Sequence, residues 1–208
     1  MIKNILFDQG GVIVDLDSRR CINALLRLGM ADPEQFIGLY AQAGPFAALE
    51  AGTMSVDEFH RVLLPEFPAN VSASDLDEAF QSFIVGIPLH RLQAITELRR
   101  NYKTYILSNT NPIMMNGVLA RNFAQEGKTV HDYFDGLILS YEAGCCKPER
   151  HIFDYAVERY GIRPEESLFL DDGQVNVDAA RNLGFHAALV PPGTEFVDVL
   201  QHELNLTL

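Results

Sequence analysis

The stretch Lys3-Asn4-Ile5-Leu6-Phe7-Asp8-Gln9-Gly10-Gly11-Val12 decides the fold of this chain. Ile2, Ile5, Leu6 and Phe7 make a short apolar run of the kind that a strand buried on both faces requires. Two glycines stop the run, and a carboxylate, Asp8, stands at the stopping point. In an open α/β sheet, chemistry lies just beyond the carboxyl ends of the strands. Asp8 is therefore placed for a nucleophile or a metal ligand, although Asp before glycine is also ordinary turn chemistry. Three later stretches repeat the arrangement, and the set is more specific than any member.

Working outward, Ile13 to Asp17 reads as a second short extended piece, after which Ser18 caps a helix over Arg19 to Met30. Asp32-Pro33-Glu34 opens a helix to about Ala43, broken by Gly44-Pro45. A short helical piece through Phe46, Leu49 and Glu50 stops at Gly52. Ser55 and Glu58 form a capping box for the next helix, and Ser74 with Asp77 starts one more. Residues 16 to 86 thus read as all-helical, an insertion well placed to lie over a site as a lid. From Pro88 strands and helices alternate. The helix Leu89 to Asn101 turns Leu92, Ile95 and Leu98 inward and Arg91, Arg99 and Arg100 outward. Strands are expected at 103–107, 136–139, 167–170 and 186–190. Helices are expected at 112–125, from Pro148 to Tyr160, at 175–183 and from Thr194. This alternation predicts an α/β fold with a parallel, doubly wound sheet.

The composition fits that class. The chain has 208 residues, 48% hydrophobic and 21% charged, and no apolar run approaches the ~20 residues of a membrane span. Its net charge of −12 argues against nucleic acid as a partner, because phosphate backbones need basic surfaces. Cys21, Cys145 and Cys146 give neither a disulfide framework nor a metal-ligand spacing, and the Cys145-Cys146 pair reads as packing. A reducing, cytoplasmic setting follows, with a monomer or homodimer as the working form.

Four expected strand ends carry polar groups: Asp8, Ser108-Asn109, Lys147, and Asp171-Asp172. Ser108 alone is a helix cap, and Lys147 alone is a loop lysine. Two adjacent acids after Leu168-Phe169-Leu170, however, are costly to crowd together without a cation or hydrogen bonds. Phosphoryl transfer through an aspartyl intermediate uses the whole set. A carboxylate attacks phosphorus and splits one difficult step into two. A divalent cation removes the repulsion between carboxylate and phosphate, and magnesium accepts carboxylate and carbonyl oxygens. Ser108 and the Asn109 amide would bind phosphoryl oxygens, and Lys147 would neutralise developing charge.

On these residues the chain resembles the haloacid dehalogenase-like superfamily, in its phosphatase branch with a helical cap after the first strand. Asp8 to Val12 is similar to the family's first motif, Ser108 to its second, Lys147-Pro148 to its third and Leu168 to Asn176 to its fourth. The resemblance implies a Rossmann-like core of residues 1–15 and 87–208, with residues 16–86 as the cap. It implies Asp8 as nucleophile and Mg²⁺ bound by Asp8, the Gly10 carbonyl and Asp172, with Asp171 acting through water or as a weaker ligand. Gly11 and Asn176 would support the acidic loop. The substrate would be a small phosphorylated metabolite.

One residue departs from the pattern. Most phosphatases of this family carry an Asp two residues after the nucleophile as general acid/base, and here that position is Gly10. General acid/base groups contribute about 10²–10⁴-fold, so the loss is felt most with poor leaving groups. A Gly-Gly variant of the first motif also occurs in a branch that resembles sugar-phosphate phosphatases. Two alternatives stay open: a metal-independent haloacid dehalogenase, and a phosphate-binding module without turnover. In the cap, Arg19, Arg20, Glu50, Gly52 and Thr53 are candidates to face the site.

Overall fold

A computed structural model describes residues 1–38 and 42–204. Its centre is a five-stranded parallel sheet of β1 (Asn4–Phe7), β4 (Lys103–Ser108), β5 (Gly136–Leu139), β6 (Ser167–Asp171) and β7 (His186–Leu189), in the order β5-β4-β1-β6-β7. Every residue of β1 and β6 is buried, as the apolar run required. Alternation sends Ile5 and Phe7 to one face and Leu6 to the other. Ile5 and Phe7 join a core with Leu92, Ile95, Phe134 and Phe196. Leu6 meets Ile152, Phe153, Phe169 and Val177 on the opposite side. The strand order reverses at β1, so the crevice at its carboxyl end is the topological switch point.

The chain leaves the sheet through β2 (Asp15–Leu16) and returns through β3 (Ile84–Gly86), which pair antiparallel. The expectation of an all-helical stretch over residues 16–86 is therefore corrected: a two-stranded ribbon forms its neck. Between the strands lie α1 (Ser18–Leu28), α2 (Gly44–Glu50), α3 (Val56–Leu63) and α4 (Ala73–Gln81). They close on their own aromatic centre, where the Phe46 ring lies 5.0 Å from Phe59 and 4.7 Å from Phe80, each edge to face.

Several expected element ends move, each for a local reason. Asp17 rather than Ser18 caps α1, because its N–H pairs with the Phe83 carbonyl and holds it extended while its carboxylate accepts from the Arg19 N–H. Ser72 with Asp75 forms the capping box of α4, in place of Ser74 with Asp77. Asp77 is engaged instead by His60, at 2.7 Å. The helix expected over residues 32–43 is only a 3₁₀ turn at Pro33–Gln35. The Ala43 N–H returns to the Phe36 carbonyl, and Ile37 bridges Gln42; residues 39–41 of that expectation lie outside the described residues. The helix Arg150–Tyr160 starts after Pro148, because the Glu149 N–H first closes a turn onto the Cys146 carbonyl. The stretch 112–123 is helical but passes through a π segment at Met115–Leu119.

Arg91 is the largest correction. Expected to face outward from α5 (Leu89–Leu98), it is 8% exposed. Its guanidinium donates to Asp15 Oδ1 at 2.7 Å and to both Glu195 carboxylate oxygens, at 2.8 and 2.9 Å. It also donates to the Ile13 carbonyl. One side chain thus ties the neck of the insert to the C-terminal turn. Among the described residues no helix is long and apolar enough to cross a membrane.

Arg91 first, with His90 beside it, lowers the Glu195 pKa from 4.5 to about 2. A carboxylate with a depressed folded-state pKa adds stability that is full above pH about 4.5 and lost as pH falls through about 2. Glu195→Gln should cost about 1 kcal/mol at pH 7, the scale of a partly exposed ion pair. In urea titrations the gap from wild type should narrow as pH falls below about 4.5.

Candidate active site

Three neighbouring strands deliver the polar set. β1 pairs with β4 and with β6, so Asp8, Ser108 and Asp171 emerge side by side at the carboxyl edge. Asp171 is the last residue of β6 rather than the first of the following loop. Lys147 comes from the loop after β5 and is held by Asn109. The Asn109 side-chain oxygen accepts from the Lys147 N–H at 2.7 Å, and its amide donates to the Lys147 carbonyl at 3.1 Å. Ser140, overlooked in the sequence, braces the same edge: its hydroxyl accepts from the Thr110 N–H and donates to the Thr110 carbonyl. It too follows an apolar strand, Leu137 to Leu139, which was the signal available.

The lysine ammonium lies between two carboxylates, 2.8 Å from Asp8 Oδ1 and 2.7 Å from Asp171 Oδ2. The Lys147 side chain is 1% exposed and that of Asp171 0%. Burial would discharge the lysine, but the two carboxylates outweigh it and hold its pKa above the usual value. Asp171 Oδ1 accepts from the Gly173 N–H and from Asn176, at 2.8 and 2.9 Å. Both oxygens of Asp171 are therefore engaged. Asp8 Oδ1 also accepts from the Gln9 N–H at 2.7 Å.

Asp172 completes the cluster. One oxygen from each of Asp8, Asp171 and Asp172 falls within 4.8 Å of the others. Against the one ammonium this leaves a formal charge of 1 − 3 = −2. Burial first, offset by Lys147 and reinforced by the neighbouring aspartates, holds the Asp8 carboxyl above its usual range. Burial and the Asp171 charge raise Asp172 to about 6. An all-oxygen donor set with this excess negative charge fits a hard divalent cation. Gly11 makes room for Asp172. Its φ is +71°, and a Cβ there would stand 2.2 Å from Asp172 Oδ2.

The edge opens into a cavity of ≈ 720 Å³. Asp8, Ser108, Asn109, Lys147 and Asp172 line its floor, while Leu16, Phe80 and Phe83 of the insert wall it from above. Of the cap candidates, Glu50 lines this cavity. Arg19 and Arg20 are exposed on α1 and do not line it. Cys146 lines the wall with its thiol pushed up to about 11 by burial, and Cys145 is buried among Ile138, Ile152 and Phe153.

The arrangement matches known proteins along its whole length. The profile of the haloacid dehalogenase-like hydrolases matches residues 2–184. The D-ribitol-5-phosphate phosphatase of Bacteroides thetaiotaomicron is 38% identical over 205 residues, spanning 99% of this chain and all of that one. A HAD family enzyme from the same organism, solved with magnesium and inorganic phosphate, superposes with a TM-score of 0.89 at 35% identity, over 96% of this chain and 99% of that one. An L-2-haloacid dehalogenase from Xanthobacter autotrophicus shares the fold at a TM-score of 0.62 and 22% identity, over 100% of this chain and 84% of that one. With the strand-end carboxylates, the buried lysine and the inserted helices all in place, the chain belongs to the haloacid dehalogenase-like hydrolases.

Proposed function

We propose that this protein is a Mg²⁺-dependent phosphatase of a small phosphorylated metabolite, a sugar or polyol phosphate, working through an aspartyl phosphate on Asp8. The observation that carries this reading is the convergence of Asp8, Asp171 and Asp172 beside buried Lys147 on the floor of a covered cavity. The full-length likeness to a D-ribitol-5-phosphate phosphatase supports the substrate class. A metal-independent dehalogenase has no use for the excess negative charge of the cluster, and the likeness to the haloacid dehalogenase is one of fold alone.

In this reading residues 16–86 form a cap over a core of residues 1–15 and 87–208. Asp8, Asp172 and the Gly10 carbonyl would hold the cation. Asp171, expected as a weaker ligand, is assigned instead to Lys147, because both its oxygens are already engaged. Mg²⁺, when bound, supplies the positive charge that lets an anionic ester approach an anionic nucleophile. The Asp8 carboxylate attacks phosphorus and the alcohol leaves. Water then attacks the acyl phosphate, releasing inorganic phosphate and restoring Asp8. Ser108 Oγ and the Asn109 N–H donate to the phosphoryl oxygens, and Lys147 offsets the charge that grows on them. Asn176 holds the acidic loop through Asp171. A cytoplasmic setting is part of this reading, supported by three free cysteines.

The test is release of p-nitrophenol from p-nitrophenyl phosphate with Mg²⁺. Turnover should vanish with EDTA and in Asp8→Asn; turnover that survives both would overturn the reading. A second outcome concerns the loop. Gly11→Ala forces Asp172 to shift, so half-maximal activation should need about 10–100-fold more Mg²⁺, the usual effect of disturbing a ligand's support. A magnesium titration of the activity measures it.

A further inference from the structure

Position 10 carries no side chain and so has no proton to give. A Cβ built on Gly10 would lie 2.7 Å from Leu16 Cδ1. That space is taken by the flexible end of the Leu16 side chain, from the first strand of the insert. The proton that an alcohol leaving group needs must come from elsewhere in the cavity. Among the described residues, the titratable side chains lining the cavity are Asp8, Glu50, Cys146, Lys147 and Asp172. Asp8 is the nucleophile, Asp172 is assigned to the cation, and Lys147 is locked between two carboxylates. The Cys146 thiol is a far weaker acid than a carboxyl. Glu50 is left.

Its placement suits the task. Glu50 is the last residue of α2 and faces the cavity opposite the strand ends. It makes no hydrogen bond or ion pair with the other described residues. The turn behind it is pressed onto the core: Gly52 has φ +68°, and a Cβ there would stand 2.2 Å from the Tyr141 carbonyl oxygen. That contact sets α2 against the segment leading to Lys147. The charged and titratable groups facing Glu50 are Asp8, Asp172 and Lys147 from the floor and Cys146 from the wall. Burial first, then the Asp8 charge, raises the Glu50 pKa from 4.5 to about 7, where a carboxyl both gives and takes a proton at neutral pH.

We propose that Glu50, supplied by the cap, is the general acid/base of this enzyme in place of the absent side chain at position 10. The proposal rests on the phosphatase reading above. As Asp8 forms its bond to phosphorus, the bond from phosphorus to the ester oxygen breaks, and that oxygen takes the Glu50 carboxyl proton to leave as an alcohol. The Glu50 carboxylate then takes a proton from the water whose oxygen attacks the aspartyl phosphate. The bond from phosphorus to Asp8 breaks, inorganic phosphate leaves, and Glu50 is protonated again. Because Glu50 belongs to the cap, this proton transfer is available only with the cap closed, which couples chemistry to exclusion of water.

The test is kcat/KM across a series of substituted phenyl phosphates, from p-nitrophenyl phosphate to phenyl phosphate, for wild type and Glu50→Gln with Mg²⁺. A general acid flattens the dependence on leaving-group basicity. Glu50→Gln should steepen it, with a loss of about 10²-fold or more on phenyl phosphate and a much smaller loss on p-nitrophenyl phosphate. Partial misfolding lowers every member by one factor and cannot imitate a change of slope. An equal loss across the series, or no loss, overturns the proposal. A wild type inert on every member overturns the phosphatase reading instead, and the proposal with it.

Discussion

The Lys147 ammonium, set between Asp8 and Asp171 at 2.8 and 2.7 Å, is the interaction on which the rest of this structure depends. β1 and β6 are direct neighbours with Phe7 opposite Leu170, so their next residues, two carboxylates, are forced together where there is almost no water. Uncompensated, that pair would be expelled or protonated. Lys147 makes it tolerable, at a site where removal of one partner of a buried ion pair costs about 3–5 kcal/mol. The lysine is itself fixed through its backbone by Asn109, at the end of β4. Strand ends β1, β4 and β6 and the loop after β5 are locked into one rigid polar edge, as a site built for phosphoryl transfer requires.

The residual charge explains the next layer. Asp172 adds a third carboxylate with no ion-pair partner among the described residues, and a hard cation fits the balance. Two glycines stand where side chains would interfere, but for different reasons. Gly11 yields its space to Asp172, and Gly10 yields its space to Leu16. The second leaves position 10 with no group that can move a proton. The insert that brings Leu16 beside Gly10 also carries Glu50 to the cavity. Arg91 anchors the neck of that element to the core from Asp15 to Glu195.

Much of this was legible in the chain. The buried strands read as unbroken apolar runs, since parallel strands covered on both faces have no polar side to show. Asp8 and the Asp171-Asp172 pair were legible because a charge placed directly after such a run has few structural uses, and Ser108 because it ends a neighbouring run of the same kind. The insert was legible from its capping boxes but not in detail. Ser72 and Ser74 offer the same spacing to an acid, and only the pairing of His60 with Asp77 decides between them. The ribbon of Asp15–Leu16 with Ile84–Gly86 is too short for periodicity to reveal and forms between segments far apart in the chain.

What the sequence determined by itself was the order of strands and helices, the residues at the strand ends and hence the chemical inventory of the site. These are local properties, set by hydrophobic period and by turn residues acting over a few positions. What only the tertiary structure decided was which groups are spent on one another and which stay free to act. Asp171 and Asp172 look alike in the chain until Lys147, Gly173 and Asn176 are seen to close on the first of them. Arg91 looks like a solvated arginine until two acids from distant segments close around it. Glu50 looks like a surface residue of a short helix until Gly52, pressed against Tyr141, turns that helix toward Asp8. Charge pairing and desolvation act through space between residues remote in sequence, so their outcome is fixed only when the chain has folded.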